Sequence, residues 1–169
     1  NVHHGHRSDG RFKYFITHDP TWRLLDHDYI HPDDKLYSYL MRASEQYDVN
    51  SPDLDEFVAH GGKMILFAAW HDMSISPWQI VEQYKGYLSK YGKERLDSFC
   101  RFFVMPGVQH CYGAKMKYLS WIDHWRTTGS FPEVPLDAEM IKTGGRMPIA
   151  PYPGWIHYIG GDPMRSDSD

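Results

Sequence analysis

Two nearly continuous apolar runs are the strongest pattern along the chain. Residues 63–70 contain the uninterrupted apolar segment MILFAA, and residues 99–105 are interrupted only by Cys100 and Arg101 before Pro106-Gly107 closes the run. Continuous apolar character over this length is typical of a strand that is covered on both faces in a parallel sheet. We therefore predict one strand in each run.

Amphipathic segments flank these strands. Apolar side chains recur at helical spacing over residues 34–46, 52–60, 77–91 and 118–128, a pattern that predicts a helix in each segment. Glycine follows the last three of them, and glycine readily ends a helix because it adopts the left-handed conformation without strain. The three predicted helix ends are Gly61-Gly62, Gly92 and Gly129.

The predicted helices also begin with recognisable signals. Asp33 and Asp34 place negative charge beside the exposed N–H groups of a helix start, which favours a helix start over a calcium site. Ser51-Pro52 combines a preferred N-cap residue with a proline that suits the first helical turn. Residues 76–79 read SPWQ, which has the form of a capping box.

The two ends of the chain lack such patterns. Residues 1–13 are polar and without periodicity, which predicts a loop or frayed end, and residues 130–169 are dense in Gly and Pro, which predicts an extended tail over a surface. His3, His4 and His6 could bind a metal ion. A solvated tail is favoured instead, because no spaced carboxylate or Cys completes a ligand set there.

Helices that alternate with strands predict the α/β fold class, with parallel strands in one sheet and helices on its faces. Two strands alone leave unpaired edges and an uncovered core. We therefore expect further strands from a missing upstream segment or from a partner chain. The start at Asn1, without an initiator Met, agrees with the expectation of a longer polypeptide.

Composition narrows the function classes. The 169 residues, with a mass of 19.8 kDa, fit one packed domain. The 18 basic and 22 acidic residues give a net charge of −4, so no basic field exists for nucleic acid, and we expect no nucleic-acid partner. No apolar run approaches the roughly 20 residues of a membrane-spanning helix, so we expect no membrane partner either.

Two polar residues follow the predicted strands and carry the candidate chemistry. Asp72 comes shortly after the first strand, and His110 comes shortly after the second. Ligands of open α/β sheets bind beyond the carboxyl ends of the strands. An Asp followed by a His at consecutive strand ends also matches the second and third members of the order Ser, Asp, His in α/β-hydrolases.

In such a triad, His110 takes the proton of a serine hydroxyl and returns it to the leaving alcohol, while Asp72 holds the imidazole in the correct tautomer. No Ser of this chain has Gly on both sides, as the nucleophile position requires. From spacing alone, a helix-capping Asp and a loop His remain equally open. The alternative function is a non-catalytic binding or assembly module that retains the fold without a nucleophile.

Two sequence blocks point to a known family. Residues 61–72 read GGKMILFAAWHD, and this block resembles the Gly-Gly-Lys-strand-Gly-Trp-x-Asp segment of the tannase and feruloyl esterase family. Residues 101–111 read RFFVMPGVQHC and are similar to that family's strand followed by Pro-Gly-x-x-His-Cys. The resemblance extends over nearly all of residues 50–160.

The resemblance implies a secreted or periplasmic serine carboxylic-ester hydrolase that acts on esters of aromatic acids, of the feruloyl esterase or tannase type. Asp72 is then the catalytic acid and His110 the catalytic base. Cys111 matches the family's Cys that bonds a Cys just before the nucleophilic Ser, so the remainder of the enzyme is disulfide-linked through Cys111. The chain departs from the family at residues 112–114, which read YGA, and lacks the tail cysteines.

The same resemblance implies a division of the chain. Residues 1–50 are the return from a lid insertion, residues 51–129 are the core segment that carries both catalytic residues, and residues 130–169 are the C-terminal tail. No cofactor takes part in catalysis, and structural calcium belongs to the lid outside these residues. Cys100 is expected to be a buried apolar residue or a free thiol. Trp70, His71 and Met73 beside the acid are expected to pack the strand end.

Overall fold

The computed structural model describes residues 8–47, 49, 51–110, 113–133, 136–154, 156–157 and 159–161. The chain divides into two compact units, residues 1–51 and residues 52–169. A π-helix covers Phe12–Ile16, and a 3-10 helix covers Leu24–Asp26. The α-helices are α1 (Asp34–Tyr47), α2 (Asp55–Ala59), α3 (Pro77–Tyr91), α4 (Lys93–Phe99) and α5 (Tyr118–Thr128), and the strands are β1 (Met64–Ala69), β2 (Cys100–Met105), β3 (Ala114–Met116), β4 (Leu136–Met140) and β5 (Arg146–Ile149).

The first unit contains α1 and an aromatic cluster around the buried Trp22. The Trp22 ring stacks on His27 at 3.8 Å between ring centroids and also faces Phe12. The predicted start of α1 is confirmed, because Oδ1 of Asp33 accepts the Leu36 N–H at 2.7 Å. The prediction of a loop over residues 1–13 is wrong for residues 8–13, which are helical.

Helix α2 starts later than predicted, so the predicted start at Ser51-Pro52 is wrong. The helix begins at Asp55, after Leu54 in a non-helical conformation, and the N–H of Leu54 donates to the hydroxyl of Tyr91 at 2.6 Å. The N–H of Asp55 donates to the side chain of Asp53, which closes a local turn just before the helix. The predicted end at Gly61-Gly62 is confirmed, with Gly61 in the left-handed region at φ 73°.

Strands β1 and β2 pair in parallel, as predicted, with Met64 opposite Cys100 and Ala69 opposite Met105. The connection between them contains α3 and α4. Helix α4 was not predicted, because only Leu96 and Phe99 of its short, charged sequence are buried, and two apolar positions do not show a helical period. Helix α3 begins at Pro77 after Ser76, but the side chain of Ser76 makes no capping hydrogen bond, so the predicted capping box does not form.

The prediction of an extended tail after residue 130 is wrong for residues 136–149. Strands β4 and β5 form a hairpin, and β3 pairs with β4, so this part of the chain is a three-stranded antiparallel sheet. Leu136 and Ala138 alternate with the more exposed Asp137 and Glu139, which is the period of a strand with one covered face. Asp137 also forms an ion pair with Arg146 across the hairpin.

Two hydrophobic clusters cover the faces of the parallel pair. One cluster joins β1 and β2 to α3 and α4, and its largest fully buried side chains include Phe99 and Phe102. The other joins the same strands to Trp121 of α5 and to the antiparallel sheet. Within the described residues, β1 pairs with β2 alone, and Phe67 in the middle of β1 is 53% exposed. The parallel sheet is therefore open at β1, as expected of an incomplete α/β sheet.

Candidate active site

The carboxyl ends of β1 and β2 lead into two turns that carry Asp72 and His110. The register places Ala69 opposite Met105, so both strands end at the same level of the sheet. The last bond of this ladder runs from the N–H of Trp70 to the carbonyl of Met105 at 2.9 Å. The two turns therefore leave the sheet side by side.

The turn after β1 holds the Asp72 carboxylate from its own main chain. Oδ1 of Asp72 accepts the N–H of Ser74 at 2.7 Å and the N–H of Ile75 at 2.9 Å. The N–H of Asp72 itself donates to the carbonyl of Ala69 at 3.1 Å. Since Oδ1 is occupied by these donors, Oδ2 is left to face the neighbouring turn. The Asp72 side chain is 10% exposed.

The turn after β2 is anchored by Val108. Its side chain is buried in the second hydrophobic cluster, and its carbonyl accepts the N–H of His71 at 3.0 Å. Gly107 precedes it at φ 71°, in the left-handed region that only glycine adopts without strain. This anchor brings His110, two residues further on, over the turn that holds Asp72.

Asp72 and His110 form the hydrogen-bonded pair that the strand ends predicted. Oδ2 of Asp72 lies 2.8 Å from Nδ1 of His110. An ionised carboxylate only accepts hydrogen bonds, so Nδ1 of His110 donates this bond, and in the neutral ring Nε2 then keeps its lone pair. This is the tautomer in which a histidine can take a proton from a nucleophile through Nε2. Asp72 makes no cap on α3, whose N-cap residue is Ser76, so the helix-capping alternative is wrong.

The surroundings of Asp72 favour its charged form. Burial by itself raises the pKa of the Asp72 carboxyl. Hydrogen bonds from the Ile75 N–H, from the His110 ring and from the Ser74 N–H act in the opposite direction and outweigh it. The pKa of Asp72 therefore lies below its ordinary value, and the side chain is a carboxylate at neutral pH.

The residues beside Asp72 differ in what they contact. Trp70 packs edge-on against Trp78 of α3 at 4.9 Å between ring centroids. Nδ1 of His71 accepts the N–H of Gly107 at 3.0 Å, a contact between the two turns that the sequence did not indicate. Met73 is 84% exposed, so within this chain the predicted packing of the strand end is wrong for Met73.

The remaining predicted residues fall into two groups. Cys100 is a fully buried free thiol, as expected, and burial raises its pKa to about 12. Cys111 and the His3, His4, His6 group lie outside the described residues.

Within the described ranges, no three His, Cys, Asp or Glu side chains are grouped to hold a metal ion. No helix in these ranges has the length and apolar character to cross a membrane.

Comparison with known proteins identifies relatives over nearly the whole chain. The family model described as tannase and feruloyl esterase matches residues 7–169. An uncharacterized esterase of Agrobacterium fabrum is 30% identical over 166 residues, which are 95% of this chain and 30% of that esterase. The mono(2-hydroxyethyl) terephthalate hydrolase of Piscinibacter sakaiensis is 24% identical over 148 residues, which are 78% of this chain and 23% of that protein.

Solved structures show the same fold. Feruloyl esterase B from Aspergillus oryzae superimposes with a TM-score of 0.78 at 19% identity, and an esterase from the same organism superimposes with a TM-score of 0.79 at 19% identity. Each match covers 95% of this chain and 36% of the solved chain. The predicted fold class, part of an α/β-hydrolase, is confirmed. The chain spans 23% to 36% of the length of these relatives.

Proposed function

Because this chain belongs to the tannase and feruloyl esterase family, we propose that it is the C-terminal part of a serine carboxylic-ester hydrolase and supplies the Asp and His of its catalytic triad. The observation that carries the proposal is the 2.8 Å hydrogen bond between Asp72 and Nδ1 of His110. The bond lies at the carboxyl ends of two parallel strands, where open α/β sheets bind their ligands.

His110 acts as the general base and then as the general acid. Nε2 takes the proton of a serine hydroxyl while the serine oxygen attacks the ester carbonyl carbon. The tetrahedral intermediate collapses with loss of the alcohol, which receives the proton from Nε2, and an acyl-enzyme remains. Water then attacks the acyl-enzyme with the same base, and the acid product and free serine are released.

Asp72 stabilises the charged form of His110 during this cycle and does not itself take up a proton. Each time His110 becomes an imidazolium, the carboxylate faces the positive charge across the bond to Nδ1. The lowered pKa of Asp72 supports this role, because the side chain stays ionised throughout. The two turn N–H groups on Oδ1 hold Oδ2 in position.

The nucleophilic serine and the oxyanion hole are assigned to a part of the enzyme outside residues 1–169. The open edge of β1 and the exposed Phe67 support this assignment, because a parallel strand of the same enzyme would cover both. The family resemblance adds a disulfide from Cys111 to a cysteine beside the serine. Such a disulfide agrees with a secreted or periplasmic location.

The proposed substrates are esters of aromatic acids. Support comes from the family description and from the named activities of the relatives, a feruloyl esterase and a terephthalate monoester hydrolase. The family resemblance assigns structural calcium to a lid outside residues 1–169, and no step above uses a metal ion.

The test uses the intact native protein and a fluorophosphonate, which reacts preferentially with an activated serine. Peptide mapping by mass spectrometry, without reduction, locates the modified serine and the partner of Cys111. We expect one modified serine outside residues 1–169, in a peptide disulfide-bonded to Cys111. A modified serine within residues 1–169 would contradict the split of the triad, and the absence of any modified serine would favour a non-catalytic module.

A further inference from the structure

We propose that His71 is a positioning residue that sets the distance between the catalytic turns, an inference that rests on the proposed function of Asp72 and His110. His71 directly precedes Asp72 in the turn after β1. Its Nδ1 accepts the N–H of Gly107, in the turn after β2, at 3.0 Å. The side chain of one catalytic turn is therefore bonded to the main chain of the other.

Besides the bond between Asp72 and His110, three hydrogen bonds among the described residues join the chain just after β1 to the chain at and after the end of β2, and they differ in what they depend on. Two join main-chain atoms, from the Trp70 N–H to the Met105 carbonyl and from the His71 N–H to the Val108 carbonyl. The first is the last bond of the parallel ladder, the second joins the turns just beyond it, and neither requires a particular side chain. The third needs an acceptor at the position of the His71 Nδ1 atom.

The third bond lies just beyond the end of the ladder. Trp70 is bonded to Met105 and His71 to Val108, so Pro106 and Gly107 bulge out between these two main-chain bonds. Proline has no N–H, and the positive φ of Gly107 turns the one N–H of the bulge towards His71. The imidazole of His71 therefore accepts the N–H of Gly107 and links this bulge to the turn that carries Asp72.

The two histidines of the site carry their protons on opposite nitrogens. The N–H of Gly107 can only donate, so Nδ1 of His71 is unprotonated and its ring proton is on Nε2. His110 donates from Nδ1 to Asp72, so Nε2 is the unprotonated nitrogen of its neutral ring. His71 is thus a neutral acceptor and has no part in the proton transfers assigned to His110.

The bond matters because catalytic groups tolerate little displacement. His110 follows Gly107 by three residues, so movement of the bulge moves the imidazole relative to the Asp72 carboxylate. A catalytic group has to be held within about 0.5 Å of its productive position. Because His110 serves both acylation and deacylation, loss of the bond between His71 and Gly107 should slow both steps. It should therefore reduce kcat and leave KM, which depends on substrate binding and on the ratio of the two rates, nearly unchanged.

The test compares two variants of the intact enzyme with methyl ferulate as the substrate. His71→Asn keeps an acceptor oxygen near the position of Nδ1, and His71→Leu keeps the bulk without an acceptor. We expect His71→Leu to lower kcat by roughly 10- to 100-fold with KM within about twofold of wild type. His71→Asn should restore kcat to within about threefold of wild type.

Equal kcat values for His71→Leu and wild type, or an equally low kcat for His71→Asn and His71→Leu, would overturn the positioning role. Asp72→Asn distinguishes this failure from failure of the proposed function. If wild type hydrolyses the ester and Asp72→Asn does not, the proposed triad is supported, whatever the results for the His71 variants. If Asp72→Asn is as active as wild type, the proposed function itself fails.

A second measurement does not depend on how the variants fold. Nitrogen-15 NMR of the imidazole rings in the wild-type enzyme reports which ring nitrogen carries the proton. We expect His71 with the proton on Nε2 and a coupling between its Nδ1 and the Gly107 N–H. A His71 ring with the proton on Nδ1 would overturn the proposal, because that nitrogen could not accept the bond.

Discussion

Ala69 and Met105 lie opposite each other at the last position of the parallel ladder between β1 and β2. This pairing brings Asp72 and His110, which are far apart in sequence, into the same hydrogen bond. A shift of one residue in register would move the His110 turn by about 3.3 Å along the strand. The 2.8 Å bond between the two side chains therefore depends on a pairing within the hydrophobic core.

Replacement of Asp72 by Asn should abolish most of the esterase activity of the intact enzyme. Asn keeps the size of the side chain but does not hold the proton on Nδ1 of His110 or stabilise its imidazolium. We expect kcat to fall by roughly 10³- to 10⁴-fold, as in other Asp-His pairs of this kind. Asp123→Asn, on the exposed side of α5, is the matched control and should stay within about twofold of wild type.

Asp72 should also contribute to acid stability. Its pKa is lower in the folded protein than in the unfolded chain, so its contribution is present above the ordinary carboxyl pKa of about 4 and is lost as pH falls further. Urea unfolding of wild type and Asp72→Asn between pH 7 and pH 3 measures this directly. The difference in free energy of unfolding should be constant near neutral pH and shrink below about pH 4. A difference that grows towards pH 3 would contradict the lowered pKa.

Cys100 should be unreactive in the folded protein. The side chain is fully buried in the first hydrophobic cluster, and burial raises its pKa to about 12, so it remains a thiol at pH 8. Iodoacetamide treatment at pH 8 followed by peptide mapping should leave Cys100 unmodified. The same treatment in guanidinium chloride is the positive control and should modify it fully. Modification in the folded protein at the rate of a free thiol would show that the thiol is accessible.

Phe67 should be more important in the intact enzyme than its exposure here indicates. Its side chain is 53% exposed on β1, yet a neighbouring strand of the enzyme would bury it. We expect Phe67→Ala to destabilise the intact enzyme by about 3 kcal/mol, as for a buried phenylalanine. The matched control is Phe15→Ala, since Phe15 is 59% exposed and belongs to no strand. Equal, small effects of the two substitutions on thermal unfolding would contradict the predicted cover over β1.

Elements whose cause is local could be predicted from the sequence. The bounds of α3 and α5 follow from helical spacing together with Pro77, Gly92 and Gly129, and the two parallel strands follow from their apolar runs. The sequence also placed Asp72 and His110 at the ends of these strands. Each of these features is determined by neighbours within one or two helical turns or along one strand.

Tertiary structure decided the features that depend on distant groups. Helix α2 begins after a non-helical Leu54 whose N–H donates to the distant Tyr91, and the Gly- and Pro-rich tail forms β4 and β5, which pair with each other and, through β4, with β3. In the same way, the sequence contains His71 and Gly107 but does not show that they meet. A hydrogen bond between residues far apart in sequence exists only once the register of the sheet has brought its donor and acceptor together, and that register is determined by the packing of the core.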